Sequence, residues 1–269
     1  MTERYSDYTY LEFDYPSERV LRITINKPET RNSLDAVGHS ELARVWREVD
    51  EDPNIGAVIL TGKGKAFSAG GDFSMVETMM NDHNMLAKVN KEARELVYNI
   101  INCSKPTVSA LNGVAVGAGL AAGLLADIPI AGASAKIIDG HTRIGVAAGD
   151  HAVINWPLLC GMAKAKYYLM LCEPMSGEEA ERLGLVSLCV PDDELEAKSI
   201  EVAEKLAKGA PNALYWTKHT LNNWYRMAGP IFDTGLAYEA LGFVGPEMKE
   251  GLASIKEKRE PDFIGASKK

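Results

Sequence analysis

The chain has 269 residues, 46% hydrophobic and 25% charged, a balance that gives a globular chain ample apolar residues for a core. Its net charge of −8 argues against general affinity for nucleic acid. The N-terminus MTERYSDYTYLEF has neither an apolar signal core nor an Arg/Ser-rich presequence, and Cys103, Cys160, Cys172 and Cys189 lie far apart, so a cytoplasmic chain with reduced thiols is expected.

Tyr8 to Tyr15 and Arg19 to Asn26 alternate apolar and polar residues and predict a hairpin turned at Pro16-Ser17-Glu18. After a loop over 27–32, Ser33 or Asp35 can cap a helix running to about Asp50, with Leu42, Val45 and Trp46 on its inner face. Ala57 to Thr61 is a short apolar strand of the kind found in sheets covered on both faces. Gly62 to Phe73, GKGKAFSAGGDF, passes from a strand through small residues to a helix start that Asp72 can cap. Residues 84–102 have helical periodicity, with Met85, Leu86, Val89, Leu96, Val97 and Ile100 inward. His39, His83 and His219 fall on polar helices and carry no functional signal of their own.

The stretch KPTVSALNGVAVGAGLAAGLLADIPIA (105–131) reads as a strand over Thr107 to Leu111, a break at Asn112-Gly113, and a helix entered through Gly117-Ala118-Gly119. A helix start presents unpaired N–H groups and partial positive charge, which suits an anion or a developing oxyanion. The glycine spacing (Gly117, Gly119, Gly123) departs from the dinucleotide pattern G-x-G-x-x-G. Asn112, Asp127 and Pro129 interrupt the apolar run, which argues against a membrane span. A strand over Ala135 to Ile138 follows, then helices over 158–172, 176–183, 192–208, 211–227, 230–241 and 248–259, with one strand at Val186 to Val190.

FSAGGDF (67–73) and NGVAVGAG (112–119), each a strand–glycine–helix junction, together with INKPETRNSL (25–34), resemble the enoyl-CoA hydratase/isomerase (crotonase) family. The resemblance runs from Tyr10 to Phe263 and includes EEAERLGLVSLCV (178–190) and EGLASIKEKREPDF (250–263). It implies an α/β fold: a crotonase-like spiral of ββα units over residues 1–200, with a helical oligomerisation region over 201–269 that builds a homotrimer or a dimer of trimers. It also implies an acyl-CoA thioester substrate, with coenzyme A present only as part of that substrate and no bound cofactor. By family position the backbone N–H groups of Ala69 and Ala118 are the oxyanion donors. Arg31, Ser33, Lys65, Gly70, Gly71, Asp72, Gly117, Gly119 and Trp156 are the expected substrate-binding residues, and Lys256, Lys258 and Arg259 could meet the CoA phosphates.

The chain departs from the hydratases of this family where they carry two glutamates, since those positions are Ala121 and His141 here. The block IIDGHTRIGVAAGDHAVINWP (137–157) and LAYEALGF (236–243) instead resemble the branch containing 6-oxocamphor hydrolase, whose retro-Claisen reaction cleaves a cyclic β-diketone. By that comparison His141, Asp150 and Glu239 are catalytic, the imidazole moving a proton or activating water. No metal is implied, because the His and Asp spacing matches neither H-E-x-x-H nor a paired-Cys site. Three activities follow as expectations: hydratase or isomerase chemistry on an acyl-CoA without the usual glutamate pair, hydrolysis of a carbon–carbon bond, or acyl-CoA binding without catalysis.

Overall fold

The computed structural model describes residues 2–268. The N-terminal alternation makes a hairpin, β1 (Leu11–Ser17) and β2 (Val20–Ile25), with Leu11 opposite Ile25. Its reversal falls at Glu18-Arg19, past Pro16, where Arg19 takes the left-handed conformation (φ 59°) that tight turns favour. Asp35 accepts from the amides of Val37 and Gly38 and so starts α1 (Ala36–Glu51). β3 (Ala57–Gly62), β4 (Ala66–Ala69), α2 (Phe73–Asn81) and α3 (His83–Asn102) follow, and Asp72 caps α2 as expected.

Beyond β5 (Thr107–Leu111) the chain forms β6 (Val114–Val116), a strand too short to stand out from the glycines around it, then α4 (Gly117–Leu124). β7 (Ile128–Gly132) and β8 (Lys136–Ile138) come next. Gly161 (φ 80°) divides the helix expected over 158–172 into α5 (Ala152–Cys160) and α6 (Met162–Leu171). β9 (Met175–Ser176), α7 (Gly177–Leu183), β10 (Leu188–Val190) and α8 (Leu195–Ala207) lead to the helical end. That end comprises α9 (Pro211–Leu221), α10 (Asn223–Met227), α11 (Gly229–Phe243), α12 (Pro246–Glu257) and α13 (Phe263–Ala266).

The strands divide between a six-stranded sheet, β1-β2-β3-β5-β7-β10, and a four-stranded sheet, β4-β6-β8-β9. Each successive pair (β3 with β4, β5 with β6, β7 with β8) places one strand in each sheet before the chain turns into helix, which is the spiral of ββα units. Period-two alternation fills both faces of the larger sheet. Val58 and Leu60 face the main core with Trp46 and Leu96, while Ala57 and Ile59 face a second cluster under Leu195 and Ala203 of α8. Each fully buried aliphatic side chain contributes roughly 1.5–3 kcal/mol.

Among the described residues no helix is long and apolar enough to cross a membrane. The helical end nevertheless leaves large apolar side chains in solvent: Trp216 and Trp224 are each 62% exposed and Met227 is 72% exposed.

Candidate active site

β4, β6 and β8 lie side by side and parallel, with Ala69 opposite Val116 and Val116 opposite Ile138. Their carboxyl ends therefore release three adjacent loops, leading to Gly71, Ala118 and His141, where ligands of parallel sheets commonly bind. These loops open onto a cavity of about 590 Å³, lined by Ser33, Ala69, Gly70, Gly71, Asp72, Gly117, Ala118, His141, Asp150 and Glu239 among others.

One expected donor changes place. The N–H of Ala69 donates to the carbonyl of Arg31 at 3.0 Å, so the fold itself consumes it. Two residues on, the chain bridges to Leu34 through the Gly70 carbonyl and the Asp72 N–H, which turns the N–H of Gly71 to the other side of the strand. Among the described residues it has no acceptor. A Cβ built on Gly117 would lie 3.6 Å from the Gly71 nitrogen, so the Gly71 amide faces the start of α4. There Ala118 sits in the first turn, whose N–H groups have no intrahelical partner, and Val116 supplies no side-chain cap. Among the described residues, Gly71 and Ala118 are thus unpaired backbone donors on the cavity wall. Gly119 does not line the cavity: a Cβ there would fall 2.3 Å from the Ser68 Cβ, so its role is to let α4 lie against β4.

The same cavity is lined by a cluster of titratable side chains. His141 Nδ1 lies 3.1 Å from both carboxylate oxygens of Asp139, which fixes a proton on that nitrogen. Its Nε2 is 3.7 Å from Asp150 and 3.8 Å from Glu239. Asp150 is held in turn by His151 Nδ1 at 2.5 Å. Burial opposes charge on His141, but Asp139, Asp150 and Glu239 outweigh it and raise the imidazole well above its ordinary value. Burial also works against the Asp150 carboxylate, yet His151 and His141 hold it below the usual carboxylate range. Glu239 goes the other way: burial pushes it up to about 8, His141 opposes, and Asp150 and Asp139 add to the rise. These shifts favour the charged form of the imidazole and of Asp150 and the protonated form of Glu239. Ligand atoms of His141, Asp150 and Glu239 lie within 4.8 Å of one another, as do those of Asp139, Asp150 and His151.

The expected catalytic trio is brought together, and Asp139, inside the 137–157 block but not expected to act, joins it. Trp156 is fully buried 6.3 Å from the Tyr168 ring and belongs to the core, so it is not a substrate residue. Arg31 and Lys65 are exposed and stand outside the cavity wall, Arg31 contributing its carbonyl to Ala69. Lys256 pairs with Glu77, and Arg259 with Glu250 and Glu257, so both cations are committed within this chain. His39, on a helix that is polar by sequence, is 4% exposed, lines the cavity and bonds Glu92.

Residues 16–266 match the enoyl-CoA hydratase/isomerase family. The chain is 32% identical over 253 residues to the (E)-benzylidenesuccinyl-CoA hydratase of Thauera aromatica, covering 93% of this chain and 97% of that one. Among solved structures it resembles an enoyl-CoA hydratase/isomerase from Mycobacterium paratuberculosis (TM-score 0.87, 32% identity, 91% of this chain and 98% of the other). It also resembles a β-diketone hydrolase from the cyanobacterium Anabaena bound to (S)-3-oxocyclohexyl acetic acid (TM-score 0.83, 26% identity, 91% and 98%). With its spiral of ββα units, its helical end and a match across nearly its whole length, the chain belongs to the enoyl-CoA hydratase/isomerase family.

Proposed function

We propose that the protein binds an acyl-CoA thioester with its carbonyl oxygen between the N–H groups of Gly71 and Ala118, and moves protons to and from the resulting enolate through His141, Asp150 and Glu239. The observation that carries this reading is that the two unpaired amides and the His141 cluster line one cavity. Each such donor is typically worth ~10²–10³ in rate. His141 and Glu239 hold protons and Asp150 holds the negative charge, so the cluster is set to protonate an enolate carbon, while Asp150 can take a proton from a water held near Nε2. Ala121 sits in the cavity wall where the family's hydratases carry a glutamate, so the two-glutamate addition of water has no counterpart; chemistry centred on His141 replaces it.

Carbon–carbon hydrolysis is the second reading, favoured by the likeness to the β-diketone hydrolase and its ring-keto-acid ligand. It uses the same parts, because the departing carbon is also an enolate that needs a donor-lined oxygen site and a proton.

Mass spectrometry in heavy-oxygen water tests both readings with linear and cyclic 2-enoyl-CoAs and cyclic β-keto acyl-CoAs. Label in a 3-hydroxyacyl product makes the enzyme a hydratase, and a shifted double bond without label makes it an isomerase. Label in a new carboxylate with an opened ring makes it a hydrolase. Binding without turnover of any of these would overturn the catalytic reading in favour of a binding protein. For assembly we propose that the exposed apolar side chains of α9 to α11, within the 201–269 helical region, pack against copies of the chain in a trimer or a dimer of trimers; a monomer in light scattering at micromolar concentration would refute this. A cytoplasmic setting agrees with the unpaired thiols.

A further inference from the structure

The cavity wall also carries His39, remote in the chain from the His141 cluster. His39 comes from α1 and Glu92 from α3; both are buried, at 4% and 8% exposure, and Nδ1 of the imidazole lies 3.0 Å from the Glu92 carboxylate. An ionised carboxylate only accepts, so Nδ1 carries a proton and the ring orientation is fixed. Burial opposes ionisation of Glu92, but His39 and Lys88 outweigh it and keep the carboxylate in its charged form. The opposite nitrogen, Nε2, has no partner among the described residues, and the ring lines the cavity. Leu34, Val89, Ala93 and Leu96 give the same cavity apolar lining.

A purely structural role does not account for this arrangement. α1 and α3 are already joined by Leu42, Val45 and Trp46 packed with Leu96, Val97 and Ile100, and by the Asn99 amide bonded to the Ala43 carbonyl. A tie between two helices also has no use for a ring edge presented to a cavity, where an aliphatic side chain would pack without leaving a polar atom unmet.

We infer that His39, oriented by Glu92, is a specificity-determining residue whose Nε2 hydrogen-bonds an oxygen function, hydroxyl or carbonyl, on the acyl group away from the thioester. The substrate class is then an oxygenated acyl chain or ring, distinct from a plain hydrocarbon acyl group. The inference rests on the acyl-thioester reading of the cavity and deepens it. A site built to meet such a group discriminates strongly against the analogue lacking it, whereas an apolar wall does not.

The test is calorimetric binding of hexanoyl-CoA against hexanoyl-CoAs bearing a hydroxyl or oxo group at the fourth, fifth or sixth carbon. In the wild-type protein at least one oxygenated chain should bind at least ~10-fold more tightly than the plain chain. The double variant His39→Leu/Glu92→Leu, which leaves no lone buried charge because Lys88 is exposed, should lose that preference and keep hexanoyl-CoA affinity. Glu92→Gln, a milder change that stops dictating which ring nitrogen holds the proton, should shrink the preference without removing the fold. Equal binding of plain and oxygenated chains by the wild type, or a preference unchanged in both variants, would overturn the inference and leave the thioester reading standing. Failure of the wild type to bind any of these thioesters would overturn both.

Discussion

The cavity has one wall made of backbone and one made of side chains. On the backbone wall, Gly71 and Ala118 offer N–H groups whose positions are set by two neighbouring parallel strands and the helix that follows. On the side-chain wall, Asp139 and His141 share the loop after β8, Asp150 comes from the next loop and Glu239 from α11, and all three carboxylates lie within 4 Å of the imidazole. The first wall tolerates changes in side-chain identity but not in backbone path. The second tolerates small movements but not changes in identity.

Moving the backbone wall should have the largest effect. Gly119→Ala would drive a methyl to 2.3 Å from the Ser68 Cβ and push the start of α4 off β4. Overpacking of this kind costs about 1–3 kcal/mol, and a displaced donor loses ~10²–10³ in turnover. A wild-type melting temperature together with a wild-type kcat would refute the close approach. Next come the side chains: His141→Ala and Asp150→Asn should each lower kcat at least ~10²-fold, about 2.7 kcal/mol of barrier, with CoA affinity nearly unchanged. Near-normal rates in both would show that the cluster is structural.

The third effect is one of pH. Glu239 is raised from 4.5 to about 8 in the fold, so its contribution to stability is present at low pH and is lost as pH rises through about 8. His141, also raised, loses its contribution in the same direction, whereas Asp150, lowered, loses its own only as pH falls. Urea midpoints of wild type followed from about pH 5 to pH 9 should therefore decline, and Glu239→Gln should decline less steeply. Parallel curves for the two proteins would mean that Glu239 is not held protonated. The smallest effect belongs to Ala118→Gly, which changes identity but keeps the donor. It should stay within ~10-fold of wild-type kcat, the cost being at most about 1 kcal/mol of helix propensity.

Local features of the fold were legible wherever one residue does a local job. Asp35 and Asp72 announce helix starts, and the both-face burial of β3 follows from its unbroken apolar run. What escaped notice depends on partners distant in the chain. The N–H of Ala69 is lost to a carbonyl 38 positions earlier, at Arg31, which no local pattern reveals, so the donor moves to Gly71. His39 and Glu92, 53 positions apart, look like ordinary polar helix residues until α1 and α3 pack. Trp156 failed as a substrate residue for the opposite reason: a large aromatic side chain near the expected site fills core as readily as it lines a cavity. His141, Asp150 and Glu239 were placed by family position, and the fold supplies the Asp139 contact that orients the imidazole.

The loop that carries Asp150 touches the helix that carries Glu239 backbone to backbone: a Cβ on Gly149 would fall 2.1 Å from the carbonyl oxygen of Gly235. For anyone redesigning this protein, those acids behave as a single cassette. Libraries that leave Gly149 and Gly235 untouched and vary Met75, Val76 and Met79 on the apolar wall can reshape what the cavity accepts without dismantling the machinery that moves protons.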